Sequence, residues 1–214
     1  YFIITLKRAG FKASPFFLKQ FKMNRSLKEE TLNTTPLFTT AEAKDFLKVD
    51  TTADDTLIDN LVFAATESCQ IYTNQYFLKV TLEQYSDNWD GIYTLYKSPV
   101  ISITHIKYYD SNDTEQTLAS SNYILDNVSK PARIGLAVDA TLPDLADRIN
   151  AVHVKYTVGY GTASTDVPDG IKQAVLLTLG NWYENRQTVI TGRTATELPL
   201  SSQYLLDQYK IQVC

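Results

Sequence analysis

Apolar residues early in the chain recur at three- and four-residue steps, which is the period of an amphipathic α-helix. The clearest run predicts a helix of about six turns over residues 54–75. A shorter helix is predicted over residues 41–49, capped by Thr39 or Thr40 and with Glu42 near its positive end. The stripe of the long helix consists of Leu57, Ile58, Leu61, Val62, Ala65, Cys69, Tyr72 and Tyr76.

The period then changes to two, which is typical of half-buried strands. The turn Asp110-Ser111-Asn112-Asp113 separates two such runs and predicts a hairpin. Together the runs predict an antiparallel sheet within residues 78–160. The individual strands are expected at residues 80–85, 92–95, 100–109, 115–118, 123–125, 133–136 and 151–158.

The segment 152–186, VHVKYTVGYGTASTDVPDGIKQAVLLTLGNWYENR, joins an alternating strand to a long helix. Its Gly159-Tyr160-Gly161 run predicts a turn, and Asp166 is the expected N-cap with Pro168 in the first turn. A last, shorter helix is predicted over residues 200–209. This order predicts an α+β fold, a helical bundle of about four helices with an inserted small antiparallel β-sheet. The expected divisions are an N-terminal basic arm and linker (1–38), a helical domain (39–77 plus 165–214) and an inserted β domain (78–164).

Composition indicates a globular protein, because 44% of the 214 residues are hydrophobic and 21% are charged. Residues 1–22 contain five basic residues and no acid, so the rest of the chain has a net charge of −9 within a total of −4. A body this acidic is a poor nucleic-acid binder. The basic arm is either a translated extension ahead of a start at Met23 or a segment that orders on a partner. The sequence has no long apolar run that predicts a membrane span.

The sequence shows no catalytic, metal-binding or cofactor-binding motif: H-E-x-x-H, C-x-x-C, G-x-S-x-G and a calcium loop are all missing from it. His105 and His153 fall at alternating strand positions, which favours contact with solvent or a neighbouring side chain over catalysis. Cys69 and Cys214 lie far apart, and Cys69 is expected as a buried free thiol in a reducing compartment. The prediction is a non-enzymatic protein with no cofactor and no metal.

Aromatic residues are abundant, with 14 tyrosines, nine phenylalanines and two tryptophans. Tyrosine suits interfaces because its ring is apolar and its hydroxyl is polar. Trp182 and Tyr183 are adjacent at a helix end, where one ring is expected in the core and the other against a neighbour. The alternative is a carbohydrate- or ligand-binding module in which sheet tyrosines line a shallow groove.

Several segments, in their order and spacing over residues 39–210, resemble one family. The chain is similar to the head–tail connector (adaptor, or head-completion) proteins of long-tailed phages and related gene-transfer particles. Residues 1–38 are not covered by this resemblance. The matching segments are TTAEAKDFLKVD (39–50), DDTLIDNLVFAATESCQIYTNQ (54–75), IKYYDSNDTEQTL (106–118), residues 123–126, residues 131–134, VKYTVGYG (154–161), VPDGIKQAVLL (167–177) and NWYENR (181–186).

The resemblance implies a structural virion protein at the head–tail junction, assembled in the host cytoplasm. Its members pack side by side as a closed ring, expected here to be a dodecamer that matches the portal. The implied partners are the portal protein and a tail-side connector or stopper protein. DNA is expected to pass through the ring without specific binding, and no membrane is involved.

Two sets of residues are predicted to meet partners. One set lies on helices and the C-terminal segment 198–214, which is expected to reach the portal, while the flanks of the two long helices are expected to carry subunit contacts. The other set is the tip of the predicted hairpin, expected to face a neighbour or a tail-side protein. The first set is Trp182, Tyr183, Arg186, Tyr204 and Tyr209, and the second is Asp110, Asn112 and Asp113.

Overall fold

The computed structural model describes residues 26–30, 35–185 and 198–211. Arg186 and Cys214, together with the basic arm, lie outside these residues. The described helices are α1 (Thr40–Leu47), α2 (Asp55–Thr73), α3 (Asp169–Glu184) and α4 (Leu200–Asp207). The described strands are β1 (Ser26–Glu29), β2 (Val80–Ser86), β3 (Val100–Tyr109), β4 (Glu115–Leu118), β5 (Tyr123–Asp126), β6 (Arg133–Leu136) and β7 (Val152–Val158).

A five-stranded antiparallel sheet, in the order β1-β2-β7-β3-β4, forms one layer of the protein. Strand β7 lies at its centre, and all of its residues except Lys155 are buried. One face of the sheet packs into an apolar core that includes Leu82, Ile106, Val154 and Tyr156. Strands β5 and β6 form a separate two-stranded sheet that contributes Ile134 to this core.

The helices pack around a second apolar core. Its centre is the inward stripe of α2, which includes Ile58, Val62 and Cys69 and meets Ile171 and Leu179 of α3. This spacing of three and four residues places the side chains on one face of each helix. Cys69 is a buried free thiol, as the sequence predicts. Its burial in this core raises the pKa of the thiol to about 11.

The predicted helical bundle with a small inserted sheet is wrong. The described chain has seven strands against four helices, and α1 and α4 are only eight residues long each. A helix of two turns offers too short a stripe to form a bundle, whereas the central strands are seven to ten residues long and bury a core of their own. The fold is a mixed α+β structure in which the sheet is a major layer.

Three local predictions also fail. Residues 24–38 were expected to be a linker, but β1 pairs with β2 there, from Ser26↔Tyr85 to Glu29↔Leu82. The strand expected at residues 92–95 is replaced by a 3₁₀ turn, Trp89–Ile92, and irregular chain. The Asp166 carboxylate accepts a hydrogen bond from the amide of Ala163 at 3.0 Å, within the turn that precedes α3, and so does not cap that helix.

The turn after β7 joins the two cores. Gly159 has a φ of 116°, a conformation that side-chain-bearing residues rarely adopt, and its amide donates to the carbonyl of Pro99 at 2.9 Å. The next residue, Tyr160, donates its amide to Phe77 at 3.0 Å and its hydroxyl to Gln75 at 2.7 Å. Burial raises the pKa of Tyr160 to about 12. The chain leaving α2 and the chain entering α3 are therefore fastened to each other at this turn.

Candidate assembly surfaces

Helix α4 presents one buried face and one bare apolar face. On the buried side, Leu206 is in the helical core, and the Ser202 hydroxyl donates to the carbonyl of Ala174 at 3.0 Å. On the outer side, Leu200 is 83% exposed and Tyr204 is 81% exposed, one helical turn apart. These two large side chains make the outer face of α4 a candidate contact surface.

Tyr209 follows α4 and is held inside the molecule more than the sequence predicted. Its carbonyl accepts a hydrogen bond from the Gln75 side chain, and its ring packs against the helical core close to Gly170. The next turn of the chain is also tied down, because the amide of Ile211 donates to Thr73 at 3.0 Å. Tyr209 thus helps to position α4, while Tyr204 carries the exposed ring.

Both rings at the end of α3 pack on the helical core, although one was expected to be free. The hydroxyl of Tyr183 donates to the Asp54 carboxylate at 2.7 Å, which ties the end of α3 to the start of α2. The ring of Trp182 is half-buried, and its Nε1 is buried with no hydrogen-bond partner among the described residues. Only part of each ring is left for a neighbour.

The hairpin of β3 and β4 forms as predicted, and its tip is organised by Asp110. One Asp110 carboxylate oxygen accepts the amides of Asn112 and Thr114 at 2.9 and 3.1 Å. The bond from Thr114, followed by one from the Gln116 side chain, lowers the pKa of that carboxyl. Asp113 has a φ of 57° and forms an ion pair with Arg148 at 2.7 Å. Asn112 is exposed. Two of the three predicted tip residues therefore shape the turn, and the side chains of Asn112 and Asp113 are both exposed to solvent there.

Exposed apolar residues occur at places that the sequence analysis did not select. On α2, Phe63 and Ile71 lie eight residues apart on the solvent side, and Ile71 is 70% exposed. Around the small sheet, Ile124, Val128 and Val138 are also exposed. A signal for the α2 pair was available, because both residues fall outside the buried three- and four-residue stripe.

The tyrosines of the sheet are engaged within the molecule. Tyr156 is fully buried, Tyr108 contacts the ring of Trp89 with centroids 5.4 Å apart, and Tyr85 donates to Glu83 at 2.5 Å. Tyr109 is covered by the Arg148 guanidinium, 3.8 Å from the ring centroid. These contacts engage all four tyrosines of the five-stranded sheet within the molecule.

Metal-ligating side chains converge at one place among the described residues. Ligand atoms of Glu83, His105 and His153 lie within 4.8 Å of one another on the face of the sheet opposite its core. The sequence placed both histidines on strands but could not show that they meet.

Elsewhere, an open depression of about 520 Å³ lies beside Lys130 and the segment 207–211. No helix in the described part of the chain has the length and apolarity to cross a bilayer.

Residues 36–202 match a family described as head completion protein. The chain belongs to the head completion protein family. The matched region contains most of the described residues. The match confirms the resemblance to head–tail connector and head-completion proteins, and it also confirms the prediction of a structural virion protein. None of the curated protein sequences gives a significant match.

Solved structures with a similar fold come from gene transfer agent (GTA) particles. A chain from the neck of an empty GTA particle, computed with C6 symmetry, has a TM-score of 0.72 and 22% identity, over 88% of this chain and 97% of that one. A chain from the virion of the native GTA particle has a TM-score of 0.70 and 22% identity, over 88% of this chain and 96% of that one. A chain from the neck of the native GTA particle, computed with C12 symmetry, has a TM-score of 0.67 and 21% identity, over 88% of this chain and 97% of that one. At these identities the likeness establishes the fold.

Proposed function

We propose that this chain forms a closed ring at the head–tail junction and serves there as part of the DNA conduit. The observation that carries the proposal is the fold likeness, over 88% of this chain and 97% of each matched chain, to chains of particle necks computed with C6 and C12 symmetry. Head completion family membership supports the same place in the virion. A dodecamer is the proposed stoichiometry, and no enzymatic step is part of the function.

The described surface offers the contacts that a ring needs. In a cyclic assembly each subunit uses two different patches, one for each neighbour, and further patches for the components above and below. We propose that the outer face of α4, Leu200 with Tyr204, docks against the portal. The exposed flank of α2, Phe63 with Ile71, is then available for a neighbouring subunit.

The remaining predicted residues fit this arrangement as secondary contacts. The exposed parts of Trp182 and Tyr183 would border a subunit seam; Arg186, outside the described residues, stays a prediction from the sequence. Asn112 at the hairpin tip would face a neighbour or a tail-side connector or stopper protein. The two apolar cores support a division into a helical unit (39–77 plus 165–214) and a β unit (78–164), which we also propose.

The conduit role is supported by charge. Outside residues 1–22 the chain has a net charge of −9, and an acidic wall repels phosphates. DNA would therefore slide through the ring without being gripped.

The test is assembly of the purified chain with and without the purified portal ring, followed by mass photometry and negative-stain microscopy. We expect rings, or ring-shaped complexes with portal, and at least a tenfold loss of portal binding in a Leu200→Ser/Tyr204→Ser double variant. Because both side chains are exposed, the variant monomer should keep its stability within about 0.5 kcal/mol. Val128→Ser, which removes an exposed apolar residue elsewhere, is the matched control and should bind normally. A chain that stays monomeric and ignores portal would refute the proposal.

A further inference from the structure

Three neighbouring strands place polar side chains together on the face of the sheet opposite its core. In the register, Glu83 of β2 and His105 of β3 both pair with Lys155 of β7, while His153 lies two residues along β7. Glu83 and His105 are thus diagonal neighbours of His153, one on each side. The rings of His105 and His153 meet edge to face with centroids 6.4 Å apart.

His153 is buried without a hydrogen bond. Its side chain is only 8% exposed, and its Nδ1 has no partner among the described residues. Its Nε2 lies 3.6 Å from a carboxylate oxygen of Glu83 and 3.9 Å from one of Glu115, both beyond hydrogen-bond range. A buried imidazole in this condition is uncommon, because the loss of its hydrogen bonds to water is left uncompensated.

The spacing of these atoms suits a shared ion better than direct contact. Zinc binds nitrogen at about 2.0–2.1 Å and carboxylate oxygen at about 2.0–2.2 Å, which separates tetrahedral ligands by about 3.4 Å. The distance of 3.6 Å between His153 Nε2 and the Glu83 carboxylate oxygen is close to that ligand–ligand separation. The ligand atoms of all three residues lie within 4.8 Å of one another. Small side-chain rotations would bring the three ligand atoms around one centre.

The electrostatic setting leaves the imidazoles free to bind. Burial is the main cause that lowers the pKa of both His105 and His153, which favours the neutral imidazole in each. Lys107 and Lys155 are nearby, and each is paired with a carboxylate outside the triad. Lys107 contacts Glu115 at 2.6 Å, and Lys155 contacts Glu30 at 2.6 Å.

We propose that Glu83, His105 and His153 form a binding site for a divalent first-row transition-metal ion that links strands β2, β3 and β7. Two imidazoles and one carboxylate select zinc and its neighbours over magnesium and calcium, which prefer all-oxygen sites. Three protein ligands leave a coordination position for water. The ion would fasten the three central strands of the sheet, and the site is independent of the ring contacts proposed for α4.

The test uses the full chain, freed of any affinity tag, in a Cys214→Ser background that removes a competing thiol. After treatment with chelator, Zn²⁺ is titrated by calorimetry, and Co²⁺ is added in parallel to read the absorption bands of a four-coordinate nitrogen and oxygen site. We expect one ion per chain with a micromolar or tighter Kd. At a hundredfold excess over Kd, Tm should rise by about 5–10 °C.

Ligand variants separate this site from unspecific binding. His105→Gln and Glu83→Gln should each weaken binding at least tenfold and abolish the cobalt bands. His105 is only partly buried, so its variant is expected to fold. Thr117→Ala, an exposed neighbour on β4 with no ligand role, is the matched control and should bind like the parent chain. Zinc binding weaker than about 1 mM, or equal binding in all variants, would overturn the proposal.

Discussion

Replacement of Gly159 by alanine should destabilise the isolated chain strongly, because this residue is the joint between sheet and helices. Its φ of 116° is a conformation that costs a side-chain-bearing residue about 1–3 kcal/mol. An added Cβ would also lie 2.5 Å from the carbonyl oxygen of Leu78 and 2.8 Å from the amide nitrogen of Lys79. Both atoms belong to the backbone, so no side-chain rotation relieves the clash.

The magnitude follows from adding these two effects. Forcing a packed backbone apart costs about 1–3 kcal/mol, which brings the total to about 2–6 kcal/mol. The displaced backbone also carries hydrogen bonds, from Tyr160 to Phe77 at 3.0 Å and from Lys79 to Gly161 at 2.8 Å. For a chain of this size we expect Tm to fall by at least about 5 °C.

The assay is urea and thermal unfolding of the monomer, with Gly135→Ala as the matched control. Gly135 lies on β6, where an added Cβ would meet no atom within 4 Å, so its variant should stay within about 0.5 kcal/mol of the parent. If Gly159→Ala is as stable as Gly135→Ala, the turn after β7 does not constrain the backbone at Gly159.

Two further predictions concern stability. Tyr183→Phe removes the hydroxyl that donates to Asp54, and should lower the free energy of unfolding by about 0.5–1.5 kcal/mol in urea titrations; an unchanged midpoint would contradict the role given to this bond. Burial lowers the pKa of His105 and His153 in the folded state, so below about pH 6.5 the unfolded state binds more protons and stability is lost as pH falls. The free energy of unfolding, measured in chelator between about pH 7.5 and 5.5, should fall with pH in this way, because this range lies above the pH at which carboxylates titrate. The His105→Gln variant should show a smaller fall. A free energy of unfolding that does not change over this range would refute the prediction.

Local periodicity was enough to predict the elements with strong stripes or alternation. The long helix predicted over 54–75 is observed as α2; it ends at Thr73, and the left-handed conformation of the next residue, Asn74, stops it. The hairpin of β3 and β4 was also predictable, because Asp110 to Asp113 favour a turn between alternating runs. These features depend on residues close together in sequence.

The missed elements depend on partners far away in sequence. Strand β1 has the sequence Ser-Leu-Lys-Glu, which shows no clear strand pattern, and it forms because β2 offers a free edge for backbone pairing. The segment 92–95 buries Ile92 and Leu95, yet its backbone pairs with the chain around residues 132–134 and does not join the five-stranded sheet. Apolar character correctly placed these residues in the core but gave no information on their backbone partners.

The candidate metal ligands illustrate the same limit at the level of a site. Strand β3 has register shifts between Val100 and Ser102 and between Ile103 and His105. Because there are two shifts, they cancel: His105 lies on the face opposite Val100 and Ile106, as plain alternation along β3 predicts, and the shifts decide instead which residues of β7 lie beside it. Alternation therefore gives the face of His105, but its position beside His153 and Glu83 depends on how β2 and β3 pair with β7, which the sequence does not show.

The anchoring of α4 bears on how the proposed ring could assemble. Ser202 fixes the inner face of the helix to Ala174, and the following residues Tyr209 and Ile211 are bonded to Gln75 and Thr73. The exposed pair on its outer face is therefore held by a rigid support before any partner arrives. Association pays for each segment that must be ordered on binding, so a preformed docking helix lowers that cost. If α4 is the portal contact, breaking its anchor should weaken portal binding even though the exposed face is unchanged. Ser202→Ala, which leaves both exposed side chains in place, isolates that effect.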